Sequence, residues 1–111
     1  GVDPTERADD GVTALMAASC GHGDRDSDHA AVIRLLIKDG RVAVDARDKR
    51  GRTALWYTCS RGYTGNAHAL VVEGLADPTI ANNEGEAPVA AARRYGHKGC
   101  IRLLEVGEGP L

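Results

Sequence analysis

Side chains that could bind a metal ion are concentrated between positions 20 and 29 of the 111-residue chain. They are Cys20, His22, Asp24, Asp26, Asp28 and His29. A calcium loop that began at Asp24 would need glycine at its sixth position and glutamate at its twelfth, where this chain has His29 and Leu35. A zinc site needs a closed set of nitrogen or sulfur ligands, and only one cysteine and two histidines are available here. We therefore predict no metal site and interpret the segment as a solvated acidic loop that precedes a helix.

Nucleophilic or redox chemistry would have to use the three cysteines, Cys20, Cys59 and Cys100. Their odd number and wide spacing argue against a disulfide framework, which favours a reducing intracellular compartment. We expect Cys59 and Cys100 to be buried as small hydrophobic residues of helices, and Cys20 to be the most accessible thiol. No histidine and carboxylate accompany Cys20 in a pattern typical of catalysis, and no glycine-rich phosphate loop is present. The sequence therefore predicts a protein that is not an enzyme and holds no cofactor.

The overall charge is nearly balanced, with 14 Lys and Arg residues against 16 Asp and Glu residues and a formal net charge of −2. That balance predicts no general attraction to nucleic acid or to anionic lipid. The longest apolar runs, such as residues 69–72, are much shorter than the ~20 residues that a membrane-spanning helix needs. Positive charge is instead concentrated locally, at Arg47, Lys49, Arg50, Arg52 and Arg61. Trp56 and Tyr57 lie among these cations, and aromatic residues beside arginines are typical of interface hot spots.

The elements that must position these residues are set by an internal repeat. The string Gly-x-Thr-Ala-Leu occurs at residues 11–15 and 51–55, and a weaker copy occurs at residues 85–89. The offsets between the copies are 40 and 34 residues. The string Asp-Pro-Thr occurs at residues 3–5 and again at 77–79, and it precedes the first and third copies by the same distance. This second repeated string confirms where each repeat begins. The chain is a tandem array.

The pattern in each unit predicts two short helices, the first of which ends at a glycine. The first helices are expected over residues 14–20, 54–61 and 88–95, and the second helices over residues 30–38, 67–73 and 98–105. The first unit is longer because of an inserted loop around residues 24–28. The second unit carries one extra residue, which lies either near residues 64–65 or near residues 74–75.

Two groups of residues carry a family resemblance. They are Asp48, Gly51, Thr53, Leu55 and Gly62 in the second unit, and residues 94–97 with 103–105 in the third. Both groups resemble ankyrin repeats. The resemblance implies an all-α solenoid of helix-turn-helix units joined by hairpin-like tips, which acts as a protein-interaction module of a larger intracellular protein. It divides the chain into the tail of a preceding repeat (1–10), a repeat with an inserted loop (11–47), a second repeat (48–81) and a third that forms a C-terminal cap (82–111).

In the ankyrin family, the residues beside the tip glycine and at the end of the first helix form a concave binding surface. Mapped onto this chain, the candidate partner-binding residues are Arg47, Lys49, Arg50, Arg52, Trp56, Tyr57, Arg61, Arg94 and Tyr95. Acidic residues flank the basic second unit at Asp9, Asp10, Glu84 and Glu86. The resemblance therefore implies an acidic protein or peptide as partner, and the excess of arginine over lysine makes a phosphorylated one a candidate. Nucleic acid is the alternative partner, although the flanking carboxylates would repel its backbone.

Several residues depart from the family pattern. The proline of the family's Thr-Pro-Leu-His motif remains only at Pro88, and its histidine is replaced by Met16, Trp56 and Ala90, which predicts less firmly braced tips. Trp56 either anchors an interface or packs under the tip in place of that histidine, and Tyr57 is expected to be the more exposed of the two aromatic residues. Arg93 stands at an alanine position, so either it gives the third unit the polar outer side of a cap or its side chain reaches solvent past a glutamate.

Overall fold

The computed structural model describes residues 11–19 and 30–105, which form three pairs of helices. The first pair is α1 (Ala14–Ser19) and α2 (Ala30–Asp39). The second pair is α3 (Ala54–Arg61) and α4 (Thr64–His68), and α4 continues directly into a π-helical turn (Ala69–Glu73). The third pair is α5 (Pro88–Tyr95) and α6 (Lys98–Glu105). No strand is found within the described ranges, and the predicted all-α fold class is confirmed.

Local sequence signals place the ends of the first helices. The hydroxyl of Thr53 accepts a hydrogen bond from the backbone N–H of Trp56 over 3.1 Å, so threonine caps the start of α3. Pro88 opens α5, where its missing N–H leaves no hydrogen bond unmade. Gly62 ends α3 in the left-handed conformation, with φ of 78°. The predicted bounds of α3, α5 and α6 are confirmed.

The second helix of the second unit differs from its prediction. It begins at Thr64 rather than at residue 67, because the backbone N–H of Ala67 already bonds the carbonyl of Tyr63 over 2.9 Å. Its last turn is wider than an α-helical turn, since the N–H of Gly74 bonds the carbonyl of Ala69, five residues earlier, over 3.0 Å. This wide turn accommodates the extra residue, next to the second of the two predicted positions.

Small buried residues allow the helices to pack closely. Helices α1, α3 and α5 lie side by side, and α4 with its π-helical turn packs between α2 and α6. Leu15, Met16, Ile33, Leu55 and Leu70 are the largest of the fully buried apolar side chains. Cys59 and Cys100 are fully buried between the second and third units, as predicted. A hydrogen bond with the Cys100 thiol, together with burial, raises the pKa of the Cys59 thiol, which keeps it protonated and unreactive.

Two turns, which we name the middle tip (residues 47–53) and the third tip (residues 81–87), project from the helices and touch each other. Each is closed by a backbone hydrogen bond across four residues, from Asp48 N–H to the Arg52 carbonyl and from Asn82 N–H to the Glu86 carbonyl. Asn83 joins the two tips. Its backbone N–H bonds the Arg50 carbonyl over 2.9 Å, and its side-chain amide bonds the Lys49 carbonyl over 2.8 Å.

The tip glycines Gly51 and Gly85 allow a matched test of this contact. Both have left-handed φ values, 78° and 82°, so alanine costs about 1–2 kcal/mol of backbone strain at either position. A methyl group on Gly51 would also collide with Asn83, whose backbone nitrogen would lie 2.8 Å away, whereas one on Gly85 would meet nothing within 4 Å. We expect Gly51→Ala to destabilise the protein by about 1–3 kcal/mol more than Gly85→Ala in urea unfolding. Equal losses would show that the tips do not pack together in solution.

Asn66 is a fully buried residue, and neither the nitrogen nor the oxygen of its side-chain amide has a hydrogen-bond partner among the described residues. The equivalent residue of the third unit, counted from the glycine that ends the first helix, is the buried Cys100. We expect Asn66→Cys to raise the free energy of unfolding by about 1–2 kcal/mol, because it removes two polar groups that burial leaves unpaired. Thermal unfolding under reducing conditions measures the change. A lower melting temperature would mean that the amide is hydrogen-bonded in solution.

Candidate functional site

Asp48 organises the middle tip from its centre. Its side chain is 1% exposed, and its Oδ1 accepts the backbone N–H groups of Arg50 and Arg52, each over 2.9 Å. Its Oδ2 accepts the Tyr57 hydroxyl and the Arg52 guanidinium Nε, the latter over 3.1 Å. Burial opposes ionisation of this carboxyl, but the hydrogen bonds from Tyr57, Arg52 and Arg50 outweigh burial and hold its pKa below the ordinary value.

Arg52 connects this carboxylate to the aromatic residues of α3. Its guanidinium carbon lies 4.7 Å from the ring centroid of Tyr57 and 5.6 Å from that of Trp56, which is cation–π geometry. The two rings meet edge to face, with centroids 5.6 Å apart. Each of these aromatic residues is only 8% exposed, so the expectation that Tyr57 is the exposed one is wrong. Its hydroxyl is held inward by Asp48, and Trp56 packs under the tip while one side of it borders a cleft.

The cleft lies between α3 and α5 and has a volume of about 350 Å³. We name it the α3–α5 cleft, and its lining consists of Arg52, Trp56, Tyr57, Ser60, Arg61 and Tyr95. Five of these six residues are among the predicted partner-binding residues. The sixth is Ser60, which directly precedes Arg61 at the end of α3 and which the family pattern also maps to the concave surface. Its hydroxyl donates to the Tyr57 carbonyl over 2.8 Å, which leaves the oxygen able to accept from a ligand.

His97 fixes the two walls of the cleft relative to each other. Its Nε2 lies 3.2 Å from the backbone carbonyl of Ser60, and a carbonyl only accepts, so this nitrogen carries the proton. The ring of His97 also fills the space against Gly62 that a side chain there would occupy. Tyr95 is 53% exposed beside it, with the Arg94 guanidinium 4.7 Å from its ring centroid.

The predicted cations differ in whether their side chains are bonded to other residues. Arg47 donates to the carbonyls of Gly51 and Ala81 over 3.2 and 3.0 Å, so it bridges the two tips. Arg52 is paired with Asp48, and Arg94 pairs with Glu86 over 3.1 Å. Lys49, Arg50 and Arg61 are exposed, and their side chains make neither an ion pair nor a hydrogen bond with any described residue.

Other surfaces offer less chemistry. The predicted acidic loop with its possible metal ligands, the thiol of Cys20, and Asp9 and Asp10 lie outside the described residues. Within residues 11–19 and 30–105, no group of three His, Cys, Asp or Glu side chains could hold a metal ion. Exposed apolar residues occur on the second helices and in the turn that follows, at Val32, Leu35, Val72 and Leu75. Arg93 is exposed and pairs with Glu105, so its side chain reaches solvent past a glutamate. No described helix has both the length and the apolar character that crossing a bilayer requires.

The hydrogen-bond network around Asp48 could not be predicted as a site from sequence. Part of the signal lies in the sequence, since Asp48 and Gly51 match the ankyrin pattern and an aspartate three residues before a turn glycine often accepts hydrogen bonds from the N–H groups of that turn. The contacts from Arg52 and Tyr57 depend on the direction of two side chains that come from different elements.

Paired helices joined by touching tips define a helical repeat protein in which neighbouring units share one core. Comparison with known proteins identifies the family. A family profile described as ankyrin repeats (3 copies) matches residues 1–82 and 25–108, so the chain belongs to the ankyrin repeat family. The fold class and the family resemblance predicted from sequence are thereby confirmed.

Individual relatives agree with this assignment. The human ankyrin repeat domain-containing protein 63 is 41% identical over 98 residues, which cover 88% of this chain and 25% of that protein. The Caenorhabditis elegans ankyrin repeat and KH domain-containing protein mask-1 is 41% identical over 76 residues, which cover 68% of this chain and 3% of that protein. Human neurogenic locus notch homolog protein 1 is 32% identical over 110 residues, which cover 93% of this chain and 4% of that protein. The chain thus spans a quarter or less of the length of these relatives. Ankyrin repeats are protein-interaction modules, and this chain is one of them.

Proposed function

We propose that this domain is a non-catalytic module that binds an acidic or phosphorylated segment of another intracellular protein along the middle tip and the α3–α5 cleft. The observation that carries the proposal is the arrangement of charge. Lys49, Arg50 and Arg61 are exposed without ion pairs among the described residues, and the cleft lining contains two arginines and no carboxylate. Guanidinium groups pair with carboxylates and phosphates through two parallel hydrogen bonds.

The network around Asp48 supports this role, because a binding surface is more specific when its side chains are held in place before the partner arrives. The carboxylate of Asp48 and the Tyr57 ring hold Arg52 at the cleft. Trp56 supplies an aromatic wall, and aromatic residues and arginine are enriched among the residues that dominate binding energy. Cys59 and Cys100 are buried as free thiols, which supports an intracellular environment, in the cytoplasm or the nucleus.

A nucleic acid is a poorer match for this surface than an acidic protein segment. Phosphate backbones need positive charge along an extended track, whereas the third tip carries the exposed Glu84 beside the middle tip. Arg94, on the same side, is neutralised by Glu86. On this side of the described residues, the positive charge that is not paired with a carboxylate is therefore limited to the middle tip and Arg61 at the cleft.

Fluorescence anisotropy with labelled probes at about 150 mM salt tests the proposal. The probes are a glutamate-rich peptide, the same peptide with one phosphorylated residue, a neutral peptide of equal length, and random single-stranded DNA and RNA. We expect both acidic peptides to bind, more tightly when phosphorylated, and the neutral peptide and nucleic acids to bind at least ten times more weakly. Sub-micromolar binding of random nucleic acid would favour the alternative partner. Equal binding of the acidic and neutral peptides would overturn the proposal.

A further inference from the structure

The lining of the α3–α5 cleft is divided by depth into a floor and a rim. The floor is formed by Trp56 and Tyr57, each 8% exposed, and by the Arg52 side chain, which is 23% exposed. The rim is formed by Arg61 and by Tyr95, which is 53% exposed. A ligand side chain in this cleft would therefore have an exposed arginine and an exposed aromatic ring beside it, together with the less exposed Arg52.

The two arginines define the charge of the occupant. Arg52 uses its Nε for Asp48, and its terminal N–H groups make no hydrogen bond with any described residue. Arg61 has no ion pair among the described residues. Asp48 offsets the charge of Arg52 but leaves its terminal N–H donors available, and the lining itself contains no carboxylate. Donors from two guanidinium groups match an anion with several acceptor oxygens, and a phosphate monoester is such an anion at neutral pH.

The aromatic residues indicate which kind of side chain carries this charged group. Tyr95 is the exposed aromatic residue of the lining, and the buried Trp56 and Tyr57 also line the cleft, beside the Arg52 guanidinium. Aromatic rings favour offset or edge-to-face contact with another ring. A volume of about 350 Å³ lies near the lower limit for small-ligand clefts, ~300 to 1,000 Å³, and is suited to one large side chain rather than to a helix or strand. The side chains of phosphoserine and phosphothreonine are short and carry no ring.

Resting on the proposed function, we infer that the α3–α5 cleft is a subsite for a phosphotyrosine side chain of the partner. The phosphate pairs with Arg52 and Arg61, and the phenyl ring lies against Tyr95 and the aromatic floor. Lys49 and Arg50 at the middle tip then contact acidic residues that flank the phosphotyrosine. The cleft thus provides selectivity for the modified residue, and the tip adds affinity for its acidic context.

Four labelled peptides with identical glutamate-rich flanks and a central phosphotyrosine, phosphoserine, tyrosine or glutamate test the inference by anisotropy. We expect the phosphotyrosine peptide to bind at least ten times more tightly than each of the other three. Phenyl phosphate should compete with it at concentrations at which inorganic phosphate does not. Equal affinity for the phosphotyrosine and phosphoserine peptides would overturn the subsite while leaving the proposed function standing. Failure of all the acidic peptides to bind would overturn both.

Variants locate the binding in the cleft. Tyr95→Ala should reduce the preference for phosphotyrosine over phosphoserine to less than threefold, whereas Tyr95→Phe, which keeps the ring, should retain it. Arg61→Gln should weaken binding of the phosphotyrosine peptide more than binding of the tyrosine peptide. Arg102 is exposed on α6, outside the cleft, so Arg102→Gln is the matched charge control and should change neither affinity. Full selectivity in Tyr95→Ala would place the phosphotyrosine elsewhere.

Discussion

Replacing Asp48 with alanine is expected to lower the free energy of unfolding by about 3–5 kcal/mol, the largest loss for any single substitution considered for this domain. The carboxylate accepts hydrogen bonds from two backbone N–H groups, the Tyr57 hydroxyl and the Arg52 guanidinium. Alanine leaves these donors without their partner at a site that water reaches poorly. Urea unfolding followed by circular dichroism measures the loss.

The third tip supplies the control for this prediction. Asn82 occupies the equivalent position, and its side-chain oxygen accepts only the backbone N–H groups of Glu84 and Glu86, each over 2.9 Å. We expect Asn82→Ala to cost about 1–2 kcal/mol, because no charged group and no buried hydroxyl depends on it. Equal losses for the two substitutions would contradict the contribution that we assign to Tyr57 and Arg52.

The same carboxylate predicts a pH dependence of stability. The folded-state pKa of Asp48 lies below the ordinary value of 3.8, so the folded protein holds the ionised form more strongly than the unfolded chain does. Its contribution is therefore present above about pH 4 and is lost as the pH falls through the folded-state pKa. We expect wild-type protein to lose stability more steeply than Asp48→Asn, whose amide does not titrate, as the pH falls below about 4. Parallel profiles would show that Asp48 has no lowered pKa.

Reversing the charge of Arg50 and Arg61 together is expected to weaken binding of an acidic phosphorylated peptide at least 100-fold. Both side chains are exposed, and neither has an ion pair among the described residues, so glutamate at these positions repels the ligand without breaking an internal contact. A loss of about 1.4 kcal/mol at each position corresponds to this factor. The melting temperature should stay within about 2 °C of wild type, because exposed substitutions change stability little.

Arg52 is unsuitable for that experiment even though it belongs to the same predicted set. Its guanidinium pairs with Asp48, and a glutamate there would place two carboxylates side by side. A matched control is the double variant Lys38→Glu/Arg102→Glu, which makes the same change in net charge at exposed positions outside the cleft. If the control weakened binding as much as Arg50→Glu/Arg61→Glu, the effect would be one of net charge and not of the site.

The fold was predictable because the repeat fixes the phase of every helix. Thr53, Pro88 and the glycines after the first helices are local signals, and they place α3 and α5 to the residue. The π-helical turn that ends the second helix of the second unit could not be located from sequence, since a single extra residue can be absorbed at either end of a helix. Tertiary contacts decide between these ends.

The composition of the candidate site was predictable, but the state of each side chain was not. Five of the residues that line the cleft are among the predicted partner-binding residues, and the family pattern also maps Ser60 to the concave surface. Which arginines are available depends on carbonyls and carboxylates of other elements, such as Ala81 O for Arg47 and Asp48 for Arg52. The burial of Tyr57 likewise depends on the inward direction of its hydroxyl toward Asp48.

Chemical-shift mapping on isotopically labelled protein tests most directly whether the middle tip and the α3–α5 cleft form the recognition surface. In a titration with the phosphorylated glutamate-rich peptide, the largest changes should occur at the backbone amides of Arg50, Ser60 and Tyr95 and at the Trp56 indole N–H. The rival surface is the apolar side of the second helices, at Val32, Leu35 and Val72. Changes confined to those residues, with the cleft signals unmoved at saturation, would contradict the account.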